Sequence, residues 1–80
     1  MSFTMFSTPW CGYCHRLTSQ LNREGIEFET IDIEQHPEHV KTVEHANSGN
    51  QTVPTLLFSD GSTLTNPSVV QVKAKLAGLA

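Results

Sequence analysis

Thr8-Pro9-Trp10-Cys11-Gly12-Tyr13-Cys14 is the stretch that decides how this chain reads. Before it, residues 2–7 (Ser-Phe-Thr-Met-Phe-Ser) are short, apolar and aromatic, the signature of a first strand that Thr8-Pro9-Trp10 ends. After it, Cys14, Leu17, Thr18 and Leu21 recur at helical spacing. They predict a helix from about Cys11 or Gly12 to about Glu24, with Gly25 placed to stop it. The two cysteines therefore fall at a helix start, one turn apart on the same side. Cys11 faces the unpaired N–H groups of the first turn, which favour a thiolate. Cys14 is expected deeper and more protected. Cys11 is thus suited to attack a disulfide, and Cys14 to resolve the mixed disulfide that forms.

The plainer readings of the pair are weaker. A disulfide between residues this close closes almost no loop and adds little chain-entropy stabilisation. A structural zinc site needs further ligands. His15 is adjacent but projects elsewhere on the helix. His36 and His39 can share a helical face, yet two histidines do not make a site. The histidines, including His45, are expected on solvent faces, and no metal site is expected. Trp10 and Tyr13 flank the pair, either as core or rim aromatics or, for Tyr13, as an exposed wall of a thiol-substrate groove.

Outward from this stretch, residues 27–33 are dense in β-formers and predict a second strand. Pro37 suits the first turn of a second helix over roughly 37–46, with Val40 and Val43 inward. Asn47-Ser48-Gly49-Asn50 reads as a loop. A third strand starts at Pro54 and runs to Phe58. Asp60-Gly61 signals a hairpin, and 62–65 a short fourth strand. Asn66 is the expected cap of a last helix with Pro67 at its first position. Val69, Val72, Leu76 and Leu79 form its buried stripe, while Gln71, Lys73 and Lys75 point to solvent. The order β-α-β-α-β-β-α predicts a four-stranded mixed sheet with three helices on its two faces. The cysteine pair lies at the carboxyl end of the first strand, where open α/β sheets place their chemistry.

Length and charge narrow the function. Eighty residues hold one core and one domain, spanning 1–80. Lys plus Arg is 5 against 8 Asp plus Glu, a net charge of -3. That argues against a nucleic-acid partner, which needs a basic stripe. It equally argues against a polybasic membrane anchor, and no apolar run is long enough to span a bilayer. No signal peptide is visible at the start, so a cytoplasmic protein is expected; a monomer is expected as well. In a reducing compartment a lone CxxC points to redox chemistry.

Val53-Pro54 is a second constellation. X-Pro bonds are cis in only about 5–6% of cases, but a cis bond here would turn the Val53 carbonyl and N–H toward an extended substrate, beside Gln51 and Thr52.

Taken together, these motifs resemble those of the glutaredoxins of the thioredoxin-fold superfamily, over essentially the whole chain. Residues 8–14 match that family's active-site segment. Thr52-Val53-Pro54 matches its TVP motif, whose proline is cis in the family. The resemblance implies a thioredoxin-like three-layer sandwich. It is closest to the mycoredoxin branch, on Trp10–Cys14, Asn50–Thr55 and especially Asp60–Ser68. That branch implies reduction of mixed disulfides between protein cysteines and mycothiol. Cys11 attacks the small-thiol sulfur, a second mycothiol regenerates it, and an NADPH-dependent reductase recycles oxidised mycothiol. Cys14 is dispensable on this monothiol route. No tightly bound cofactor is implied.

One departure sharpens this. Glutathione-using members carry a Gly-Gly pair and an acidic residue before the last helix, to hold the γ-glutamyl end. Here Thr65 and Asn66 stand near the acidic position, suited to a hydroxyl-rich thiol or simply to a strand end and helix cap. Arg16 and Arg23 are further possible contacts, or solvating helix arginines. Other readings remain: a glutathione-dependent glutaredoxin, a [2Fe–2S] carrier permitted by Gly12 in place of proline, and a dithiol donor like the redoxins that supply ribonucleotide reductase. Those redoxins carry a Trp-Ser-Gly-Phe-Arg-Pro-like segment where this chain has Leu64-Thr65-Asn66-Pro67-Ser68.

Overall fold

A computed structural model describes residues 3–49 and 52–79. The expected places of Ser2 in the first strand, and of Asn50 and Gln51 before Val53, lie outside the described residues. The elements are β1 (Phe3–Ser7), α1 (Gly12–Arg23), β2 (Glu29–Asp32), a single 3-10 turn (Pro37–His39) leading into α2 (Val40–Ala46), β3 (Thr55–Phe58), β4 (Thr63–Thr65) and α3 (Val69–Leu79). They form one four-stranded sheet in the order β2-β1-β3-β4. β1 and β2 are parallel across the α1 crossover, and the other two pairings are antiparallel. This is the thioredoxin-like arrangement expected of a glutaredoxin.

Side-chain alternation along β1 builds the three layers. Phe3 and Met5 face one side, opposite Phe58 and Leu56 of β3, and pack with Leu17 and Leu21 of α1 and Val72 of α3. Phe6 faces the other side and packs with Ile33 and with Val43 of α2. Of the expected α3 stripe, Val72 is fully buried, and Val69, Leu76 and Leu79 are partly buried against the same core. Phe28 lies outside β2, which is shorter than predicted. Its ring instead stacks on Phe3 with centroids 5.3 Å apart, an aromatic pair worth about 1 kcal/mol beyond its buried area.

Helix ends explain where the chain turns. Gly25 has φ +72°. Its N–H reaches Asn22 O at 3.1 Å, and the Ile26 N–H reaches Leu21 O at 3.1 Å. This paired closure needs a left-handed residue, which glycine adopts without strain.

The start of α3 differs from the expectation. Asn66 is not its cap, and Pro67 is not its first residue. Asn66 adopts φ +46° and donates its N–H to Pro54 O at 2.7 Å. The helix begins two residues later, where Ser68 and Gln71 bond reciprocally, Gln71 N–H to Ser68 Oγ and Ser68 N–H to Gln71 Oε1. This capping box satisfies two donors at once, and losing its serine costs about 1 kcal/mol. The α3 lysines are also less free than expected. Lys73 bonds Glu24 of the α1 end at 2.8 Å. Lys75 pairs with Asp60 at 3.5 Å and lies over the Phe58 ring.

Candidate active site

β1 delivers the chain to Thr8, and the Cys11 N–H closes a turn on Thr8 O at 3.2 Å. α1 then starts at Gly12 with Cys11 as its cap. The two cysteines form a disulfide, their Cα atoms 5.2 Å apart. The Cys14 backbone N–H donates to Cys11 Sγ at 3.1 Å. A first-turn amide therefore points at the sulfur, as the spacing predicted, and the positive helix end favours negative charge there.

The expected contrast in exposure is absent in the disulfide. Cys11 is 5% and Cys14 3% exposed. Both Sγ atoms belong to the closed bond, and both residues are buried.

The Val53–Pro54 bond is cis. The Val53 carbonyl oxygen lies 3.8 Å from Cys11 Sγ. In the disulfide neither atom carries a hydrogen, so this is a contact rather than a hydrogen bond. It brings the second sequence constellation against the first. Thr52 precedes it at the surface, its carbonyl accepting from the Thr55 hydroxyl at 2.8 Å.

Trp10 and Tyr13 are 71% and 66% exposed, which rules out a core role for either ring in this chain. The Trp10 indole N–H donates to Glu34 Oε2 at 2.9 Å, which tethers the ring to the loop after β2. Tyr13 opens a groove of about 270 Å³ that continues along Arg16, Leu17 and Gln20 to Asn66, Pro67 and Ser68. Asn66 is thus brought to the groove. Thr65 is not: its hydroxyl donates to Asn47 Oδ1, and its neighbour Leu64 packs with the α1–α3 core on the opposite face.

Three residues were not anticipated. Gln20 lines the groove, and its spacing of seven from Tyr13 on one helix was the available signal. His15, expected as a solvating histidine, is exposed but holds the loop before the pair: its Nε2 lies 2.8 Å from Pro9 O. A carbonyl only accepts, so Nε2 carries the proton. Asn47 read only as loop composition, and no local pattern marked it. Arg23 is exposed and takes no part in the groove. Among the described residues, no three His, Cys, Asp or Glu side chains converge to hold a metal ion.

A glutaredoxin family model matches residues 3–62 of the chain. The chain belongs to the glutaredoxin family. This glutaredoxin is 48% identical over 79 residues to a glutaredoxin-named protein of Mycobacterium tuberculosis, across 99% of this chain and 94% of that one. It is 42% identical over 77 residues to Mycoredoxin 1 of Corynebacterium glutamicum, across 96% and 95% of the two chains. A glutaredoxin of Pseudomonas aeruginosa is 33% identical over 56 residues, 70% and 66% of the respective lengths. As a glutaredoxin, the protein is a thiol–disulfide oxidoreductase with a CxxC redox pair. No helix among the described residues is long and apolar enough to cross a membrane.

Proposed function

We propose that this glutaredoxin reduces mixed disulfides between protein cysteines and mycothiol, by a monothiol mechanism with Cys11 as nucleophile. The observation that carries the reading is the groove that opens at Tyr13, inside the CxxC. It offers the Asn66 and Gln20 amides, the Arg16 guanidinium and an aromatic face. Amides and an aromatic ring suit a hydroxyl-rich pseudodisaccharide, and no acidic clamp for a γ-glutamyl ammonium stands among these residues. Identity to Mycoredoxin 1 supports the same choice.

The steps follow from the sulfur environment. The Cys14 N–H that reaches Cys11 Sγ in the disulfide is placed to stabilise the Cys11 thiolate once the pair is reduced. That thiolate attacks the mycothiol sulfur of the mixed disulfide. A Cys11–mycothiol bond forms, the old S–S bond breaks, and the target protein leaves as its thiolate. A second mycothiol thiolate attacks the adduct. Oxidised mycothiol departs and the Cys11 thiolate returns, to be used again while an NADPH-dependent reductase recycles the small thiol. Trp10 and Tyr13 flank the path of the incoming disulfide, with Thr52, Val53 and Pro54 along its other side. Such chemistry suits a reducing cytoplasm and a monomer.

The Cys11–Cys14 disulfide itself favours a second route, direct reduction of a protein disulfide with Cys14 resolving. A coupled assay on one S-mycothiolated protein decides between electron sources: mycothiol with its reductase, glutathione with its reductase, and a thioredoxin-type reductase alone. Mycothiol is expected to give rates about tenfold above either alternative. Equal rates with glutathione overturn the mycothiol assignment.

A further inference from the structure

Behind the Val53–Pro54 bond, on the α2 side of the sheet, one side chain meets four segments. Asn47 Nδ2 lies 2.8 Å from Val43 O in α2, 2.9 Å from Thr55 Oγ1 and 3.4 Å from Thr52 O. Its Oδ1 accepts from the Thr65 hydroxyl at the end of β4. The chemistry fixes the amide's orientation, since both carbonyls only accept and the Thr55 hydroxyl already donates to Thr52 O. The two amide hydrogens go to Val43 O and Thr55 Oγ1, and the Thr55 hydroxyl donates on to Thr52 O, so the chain is tied on both sides of Val53–Pro54 through Thr55, with Thr52 O itself 3.4 Å from the amide nitrogen. Between those ties the Val53 carbonyl lies 3.8 Å from Cys11 Sγ.

We infer that Asn47 is a positioning residue for disulfide exchange: through Thr52 and Thr55 it holds the Val53 backbone beside Cys11, where the extended chain of a substrate must align. A short amide is required because it offers donors to one side and an acceptor to the other. Aspartate lacks the donors, glutamine is a methylene too long, and leucine has neither function. Cys11 itself is activated from another direction, by the Cys14 N–H of α1. Loss of Asn47 should therefore disturb substrate alignment while leaving the sulfur's reactivity intact. A plain helix-end role, using only the Asn47 backbone N–H bonds to Val43 O and Glu44 O, would affect neither.

The inference rests on the disulfide exchange of the proposed mechanism and not on which small thiol is used. The test compares wild type with Asn47→Ala on peptide disulfides of mycothiol and of glutathione, run in parallel. A second measurement is the iodoacetamide alkylation rate of Cys11 in each reduced protein. Asn47→Ala is expected to raise KM for the better peptide disulfide about tenfold, with kcat and alkylation held within about twofold. Asn47→Asp should behave like Asn47→Ala, because it turns a carboxylate toward two carbonyls. If Asn47→Ala fails to fold, Thr55→Val supplies the reading: it keeps the shape and removes the hydroxyl relay to Thr52, and the same rise in KM with unchanged alkylation is expected. An unchanged KM overturns the inference. So does a parallel loss of turnover and alkylation, or full recovery in Asn47→Asp. A preference for the glutathione peptide overturns only the mycothiol assignment and leaves the Asn47 comparison readable.

Discussion

The Cys14 amide donates to Cys11 Sγ at 3.1 Å, so the residue expected to resolve the intermediate also supports the nucleophile through its backbone. Backbone support survives substitution of the Cys14 side chain. Cys14→Ser should therefore keep substantial turnover of a mycothiol mixed disulfide, whereas Cys11→Ser should lose it, because a serine hydroxyl is not ionised near neutral pH. Reduction of a target's internal disulfide should fail in both variants. Initial rates on both substrates check this, and an inactive but folded Cys14→Ser removes the monothiol mechanism.

The same contact predicts an acidic Cys11. Iodoacetamide labelling of the reduced protein across pH, read by peptide mass, should place the Cys11 midpoint below the free-thiol value of about 8.5. Faster labelling of Cys14 than of Cys11 reverses the assignment of roles.

In the groove, Asn66 sits at φ +46°, so its test must spare the backbone. Asn66→Gly removes the amide while keeping the left-handed conformation cheap. With Arg16→Gln it should raise KM for mycothiol about fivefold each, at nearly unchanged kcat. Initial rates against mycothiol concentration measure this. An unchanged KM in both variants moves the small thiol elsewhere.

Glu24, at the C-terminal end of α1, pairs with Lys73 in the middle of α3 at the surface. The hydrogen bond and charge of Lys73 hold the Glu24 carboxyl below its usual value of 4.5. A carboxylate depressed on folding contributes stability above its unfolded value, and loses it as pH falls through the folded one. The gap in urea midpoint between wild type and Glu24→Gln should be small at neutral pH, shrink further below pH 4.5, and shrink with added salt. A gap that widens in acid contradicts the pairing.

Thr8 Oγ1 is buried and has no hydrogen-bond partner among the described residues. An unpaired buried hydroxyl costs about 1 kcal/mol or more. Thr8→Val keeps the shape and should raise the Tm of the oxidised protein by about 4 °C or more. A lower Tm shows that the hydroxyl is satisfied in solution.

Local chemistry is what the sequence by itself determined. Cysteines one helical turn apart, a glycine able to take the left-handed turn at position 25, and a hairpin signal at Asp60-Gly61 depend on neighbours in the chain. So do the strand and helix periods that set the element order, and each appears where that order required. Only the tertiary structure decided which distant groups meet. Asn66 read as a helix cap because a cap and a left-handed loop residue share the same preferences; the bond from its N–H to Pro54 O chose the latter and moved the cap to Ser68. Thr65 and Asn66 read as candidate thiol contacts because both stand near the position of the family's acidic residue, yet successive residues leaving a strand face opposite ways, and Asn47 claims the threonine hydroxyl. Asn47 itself carried no signal in the sequence. Its partners come from α2, β3, β4 and the loop before Pro54, and no pattern along the chain records a meeting that only the folded sheet makes.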